Sequence, residues 1–209
     1  MKLVVGLGNP GEKYEDTRHN VGYAVLNKVQ TEISKSKILN SKQVSNTKFQ
    51  THKKFQADIC IYPLLTSHNS QLILAKPTAY MNSSGVAVKS LATFYKLHAT
   101  NIWIIHDDLD IRLGEYKIQK GVGPKVHGGI GSINRSLGTE DYWRVRIGVD
   151  NRHSEAAEST PRGPVRGAMR SLTGKQYVLQ DFSEEEKKIL AGVIEKAVNE
   201  LIRKVVSRM

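Results

Sequence analysis

Four side chains in this sequence could together activate a water molecule: His19, Asp107, Asn9 and Asn82. An imidazole held by a carboxylate is a general base with its orienting acid, which fixes the tautomer and stabilises the imidazolium formed as water is deprotonated. Primary amides donate hydrogen bonds without adding charge, which suits a developing oxyanion. Each residue also has an ordinary reading. Asn9 before Pro10-Gly11 is a turn residue, Asn82-Ser83-Ser84 is a helix N-cap, and Asp107 with Asp108 could be solvated acids at a strand end. Their joint occurrence carries the case.

Other chemistries fare worse. Gly6-Leu7-Gly8-Asn9-Pro10-Gly11 matches the dinucleotide fingerprint, yet the residues after it have no apolar helical face on which a pyrophosphate-binding helix could pack. No G-x-S-x-G elbow is present. Cys60, between Ile59 and Ile61, reads as a buried inert thiol. His106, Asp107, Asp108 and Asp110 could offer ligands to Mg²⁺ or Mn²⁺, but neighbours on a strand point to opposite faces and cannot all converge.

The elements place the four candidates on one rim. In open α/β sheets ligands bind beyond the carboxyl ends of the strands. Residues 3–7 form an apolar strand closed by a Gly-Asn-Pro-Gly turn; Asn9 follows it, and His19 lies in the loop beyond. Residues 71–77 form a strand stopped by Pro77, with Met81-Asn82 behind it. Residues 101–108 run from an apolar strand into His106-Asp107-Asp108. Further strands are expected at 56–62, 115–120 and 142–150. Helices are expected from Val21 to Ile33, over 84–97, and behind the capping box of Ser183 and Glu186. Polar residues 34–54 and Pro-containing residues 151–175 read as flexible basic loops. Strands alternating with helices predict one α/β domain over 1–209, its parallel or mixed sheet covered on both faces.

Composition narrows the class. The 209 residues carry 31 Lys+Arg against 20 Asp+Glu, a net charge of +11, and 39 % are hydrophobic. That suits one folded domain and excludes wholesale disorder. A single cysteine excludes a disulfide framework and fits a reducing compartment. No apolar run approaches the roughly 18–20 residues of a membrane helix, and the N-terminus lacks a signal sequence; a soluble intracellular protein is expected. The charge suits a polyanion, nucleic acid above all, with a merely solubilising surface as the alternative. It is clustered: seven lysines against Glu32 from Lys28 to Lys54, and twelve basic against six acidic residues from Arg112 to Lys175.

The blocks VVGLGNPGEKYEDTRHNVGY, KPTAYMNSSG, IIHDDLD and WRVRIGV, in that order, resemble the bacterial-type peptidyl-tRNA hydrolases. The similarity covers most of residues 1–150 and resumes at 176–183 and the last helix. The resemblance implies a monomeric, cytoplasmic (or organellar) α/β enzyme with a twisted mixed sheet, needing no metal or cofactor and touching no membrane. Such enzymes cleave the ester joining a peptide to the terminal ribose of tRNA. By the same resemblance His19 is the base and Asp107 its partner. Asn9 and Asn82 position substrate and water, Tyr14 and Met81 line the channel, and His127 and Gly128 contact substrate. Arg146 holds a phosphate of the tRNA acceptor stem, with Lys117 or Lys120 replacing a second lysine expected at Gln119. One departure matters: the usual Gly-His-Asn-Gly reads Val126-His127-Gly128-Gly129, and losing one well-placed amide costs about 10²–10³ in rate. Gly128 therefore motivates the alternative of an RNA-binding relative with weakened catalysis, as in splicing factors similar to this family.

Overall fold

Three apolar runs, Leu3 to Val5, Leu72 to Ala75 and Ile102 to Ile105, are buried on both sides, which makes them the centre of a sheet covered on two faces. The computed structural model describes residues 1–36, 48–63, 71–152 and 172–207. Seven strands, β1 (Lys2–Gly6), β2 (Gln50–His52), β3 (Ala57–Pro63), β4 (Gln71–Pro77), β5 (Ile102–Arg112), β6 (Tyr116–Lys120) and β7 (Trp143–Asp150), form one sheet in the order β2-β3-β4-β1-β5-β7-β6. The inner strands β4, β1, β5 and β7 are parallel neighbours. The outer pairs are antiparallel, so the sheet is mixed, as expected.

Helices α1 (Val21–Lys35) and α5 (Glu184–Ser207) cover one face, where Val25, Leu26 and Val29 meet Val193, Ala197 and Leu201 over Trp103 and Ile105. Helices α2 (Ser84–Phe94) and α3 (Gly128–Leu137) cover the other, where Val88, Leu91, Ile130 and Ile133 pack on Ile102 and Ile104. A short helix, α4 (Gly174–Val178), lies beside the carboxyl rim of the sheet. The start of α1 fits onto that rim because residue 22 is glycine: a Cβ there would press on the carbonyl oxygens of Leu7 and Ile105.

Several boundaries differ from expectation. Helix α2 stops at Phe94 rather than 97. A Schellman turn ends it, with Leu97 N–H donating to Ala92 O (2.8 Å) and Lys96 at φ 51° in the place glycine usually takes. Strand β5 runs on to Arg112 through a register shift after Asp108, where the Asp108 carboxylate accepts from Asp110 N–H at 2.8 Å and bends the chain. Helix α3 was hidden by its glycines. Residues 174–175 open α4 instead of closing a loop; Thr173 caps it reciprocally with Gln176. The centres of the two expected loops, residues 37–47 and 153–171, lie outside the described residues.

Candidate active site

Asp107 is the pivot. It stands midway along β5, just past Ile105, the last residue paired with β1, and its Oδ1 accepts two hydrogen bonds, from His19 Nδ1 and His127 Nε2, both at 2.8 Å. Burial alone would raise the carboxyl's pKa. The two imidazoles outweigh that and hold it well below the usual carboxylate range. Asp107 is therefore an acceptor to both rings, and His19 donates from Nδ1. That leaves the Nε2 lone pair of His19 for the adjoining cavity, the arrangement a general base needs.

The two histidines differ in kind. His127 is the N-cap of α3: Gly129 N–H and Ile130 N–H donate to its Nδ1 at 3.1 and 3.2 Å. An Nδ1 that accepts must keep its lone pair, so the proton of the neutral ring sits on Nε2 and points at Asp107. The cap thus makes His127 a fixed donor that orients the carboxylate. The same logic bears on metal binding. His19, Asp107 and His127 offer ligand atoms within 4.8 Å of one another, but coordination through His127 Nε2 would move its proton to Nδ1, against two backbone N–H groups. The set does not fit a cation while α3 is capped.

Asn9 is oriented with equal economy. Its Oδ1 accepts from Met81 N–H (2.9 Å), and its backbone exchanges hydrogen bonds with the Asn20 amide at 2.7 and 2.9 Å. The amide group of Asn9 is thereby turned with Nδ2 as the free donor. Asn9, Tyr14, His19, Met81, Asn82, Asp107, His127 and Gly128 all line one open cavity of about 830 Å³, whose wall also includes Leu109, Val178 and Leu179. A Cβ at Gly128 would meet nothing within 4 Å, so the space of the expected asparagine side chain is open.

Arg146, expected to hold a phosphate, is tied into the sheet. Its guanidinium is buried, donating to Asp108 Oδ2 at 2.7 Å and Gln119 Oε1 at 2.9 Å. Strand pairing sets His106 opposite Arg146, so Arg146 shares a sheet face with Asp108 and serves it as an internal counter-ion. Gln119 acts as a neutral acceptor where a lysine would face the guanidinium. Lys117 is exposed on the edge strand β6, and Lys120, on the same strand, pairs with Asp141 at 2.8 Å. His106 lies outside the cavity, fully buried, and donates from Nδ1 to Asp107 O at 2.7 Å. Burial, and then the neighbouring His127, push its pKa down to about 3.

Sequence reasoning missed Asn20 and Arg18. Arg18, beside His19, has no exposed surface. It donates to Asp181 O and Glu186 Oε2, both at 2.5 Å, between the rings of Tyr177 and Phe182. A charged residue inside a polar loop gave no signal of burial; only Glu186, already marked by its capping box, hinted at a partner.

A His–Asp pair and two primary amides lining one cavity at the carboxyl rim of an α/β sheet are the arrangement a hydrolase uses to activate water. The family model described as peptidyl-tRNA hydrolase matches residues 3–208; the chain belongs to that family. The peptidyl-tRNA hydrolase of Campylobacter curvus is 39 % identical over 97 % of this chain and 91 % of its own length. That of Rhodococcus opacus is 39 % identical over 94 % and 87 %. The crystal structure of the Acinetobacter baumannii peptidyl-tRNA hydrolase superposes with a TM-score of 0.74 at 25 % identity, covering all of this chain and 90 % of that one.

Proposed function

We propose that this protein hydrolyses the ester between a peptide and the 3′-terminal ribose of tRNA, with His19 as base. The observation that carries the reading is the 2.8 Å bond from His19 Nδ1 to the ionised Asp107. His19 Nε2 takes a proton from water as the water oxygen attacks the ester carbonyl carbon. Asn9 Nδ2 and the Asn82 amide donate to the resulting oxyanion. The tetrahedral adduct collapses, breaking the bond to the ribose oxygen, and the imidazolium returns its proton to that oxygen. The products are free tRNA and a peptide acid, which releases its proton to solvent and leaves as the carboxylate; water is the only co-reactant. Tyr14, Met81, His127 and Gly128 border the peptide and the terminal nucleotide.

The site is assembled within one chain, which supports a monomer as the working unit. No helix among the described residues is long and apolar enough to cross a membrane; that and the lone Cys60 agree with the cytoplasm, where the substrate arises. The test is release of N-acetylated amino acid from tRNA in EDTA. Wild type turns over and His19→Ala loses about 10²–10⁴ in kcat with tRNA affinity kept. Tight RNA binding without turnover by the wild type would refute the reading.

A further inference from the structure

The two strands that lead to the amides stop pairing before they reach the cavity. The ladder between β1 and β4 ends at Val5 and Ala75. From there one chain continues through Gly8 to Asn9, the other through Pro77 to Asn82. Asn9 is tied across the gap by the bond its Oδ1 accepts from Met81 N–H at 2.9 Å. Asn82 has no such tie. Its side chain is exposed, and among the described residues no group hydrogen-bonds its amide. Its place is set by the turn on which it stands.

Tyr23 closes the same gap. It lies in the first turn of α1, where its neighbour Gly22 lets the helix rest on the carbonyl oxygens of Leu7 and Ile105. The ring packs on Gly8: a Cβ there would stand 2.8–2.9 Å from the Tyr23 Cγ, Cδ1 and Cδ2 atoms, so glycine is what admits this contact. The hydroxyl donates to the backbone oxygen of Pro77, the last residue of β4. Burial, and then the Asp58 carboxylate, push the pKa of that hydroxyl up, so it stays a donor. The helix start that carries Tyr23 follows directly on the short 3₁₀ turn of Arg18, His19 and Asn20. One corner of the fold therefore presents the base, the residue that holds the Asn9 backbone, and a brace to the turn bearing Asn82.

We infer that Tyr23 is a positioning residue for the reaction: by joining Gly8 to Pro77 it fixes the separation of the Asn9 and Asn82 amides, and with it their fit to the oxyanion. The inference rests on the peptidyl-tRNA reading of the cavity and adds what keeps the second amide in register with the first. The stake is large, since a misplacement of about 1 Å costs up to about 10²-fold in rate.

Tyr23→Phe keeps the ring on Gly8 and deletes the link to Pro77. On N-acetylaminoacyl-tRNA its kcat should fall about 10-fold, with KM within about twofold of wild type. Introduced on top of Asn82→Ala, the same substitution should cost less than about twofold, because the amide it positions is gone. A residue that only steadied the fold would cost the same in both backgrounds. Lys76→Gln removes a cation 5.6 Å from the Tyr23 ring centre but leaves the link intact, and should match wild type. Nitrogen–proton correlation spectra give a readout independent of turnover. The Asn82 carboxamide signals should shift and broaden in Tyr23→Phe, and also in Gly8→Ala, whose methyl group displaces the ring. Those of Asn101, at the opposite end of the sheet, should stay in place. Gly8→Ala decides the matter should Tyr23→Phe fail to fold. An unchanged kcat in Tyr23→Phe, equal losses in the two backgrounds, or unmoved Asn82 signals would each overturn the brace. If wild type does not cleave the ester, the catalytic reading fails, and the Asn82 signals still decide whether Tyr23 holds the turn.

Discussion

His106 should give the protein a measurable weakness to mild acid. The ring is wholly buried and holds a pKa of about 3 against an ordinary 6.5. The folded state therefore keeps it neutral across the range where the unfolded chain takes up a proton. The stability this supplies is complete above about pH 6.5 and is lost as pH falls towards 3. A gap of about 3.5 units at about 1.4 kcal/mol each is worth on the order of 5 kcal/mol in total, of which about 2 kcal/mol is lost between pH 7.5 and 5.0. Asp107 does not confuse this window: its carboxyl is held low, so its contribution fades only below the unfolded carboxylate value near 3.9. The perturbation is His106→Asn, whose Nδ2 can still donate to Asp107 O. Urea unfolding of both proteins at the two pH values, with unchanged m, isolates the difference. The variant, less stable at pH 7.5, should lose about 2 kcal/mol less than wild type on going to pH 5.0. An identical loss in the two proteins would refute the claim that His106 is kept neutral by its surroundings.

Asp107→Asn preserves an acceptor for both histidines but removes the charge, and should lower kcat by about 10²–10⁴ with KM little changed; steady-state kinetics on N-acetylaminoacyl-tRNA decide. Gly128→Asn enters open space and should raise kcat, by up to about 10²-fold if the missing amide limits the wild type; no gain would mean another donor already serves. Arg146→Ala should cost about 3–5 kcal/mol in urea unfolding, because Asp108 is left buried and uncompensated. Glu186→Gln keeps the cap of α5 but removes the charge opposite Arg18; kcat should fall more than KM rises, and an intact kcat would show that Arg18 does not steady His19.

Much of this architecture was legible because the parallel strands are continuous apolar runs ended by turn residues, so Asn9, Asn82 and Asp107 could be placed on one rim from sequence alone. Their meeting with His19 was legible for the same reason. Helix α3 was not, since Gly128, Gly129 and Gly131 blur its apolar period and its cap is a histidine, outside the usual Ser, Thr, Asp and Asn. The fate of Arg146 was illegible too. Alternation along β7 fixes which face a side chain takes, but only the register with β5 brings Arg146 within reach of Asp108. Asn20 escaped notice because its amide acts on the backbone of Asn9 rather than on anything a motif would flag.

The guanidinium of Arg18, next to His19, finds its partners more than 160 residues further on, at Gln180, Asp181 and Glu186. A copy released from the ribosome before those codons were read would carry a buried cation with nothing to satisfy it, and its histidine would have no steady seat. The seat of His19 is thus completed only when residues 181–186 have been made and folded back beside the first loop.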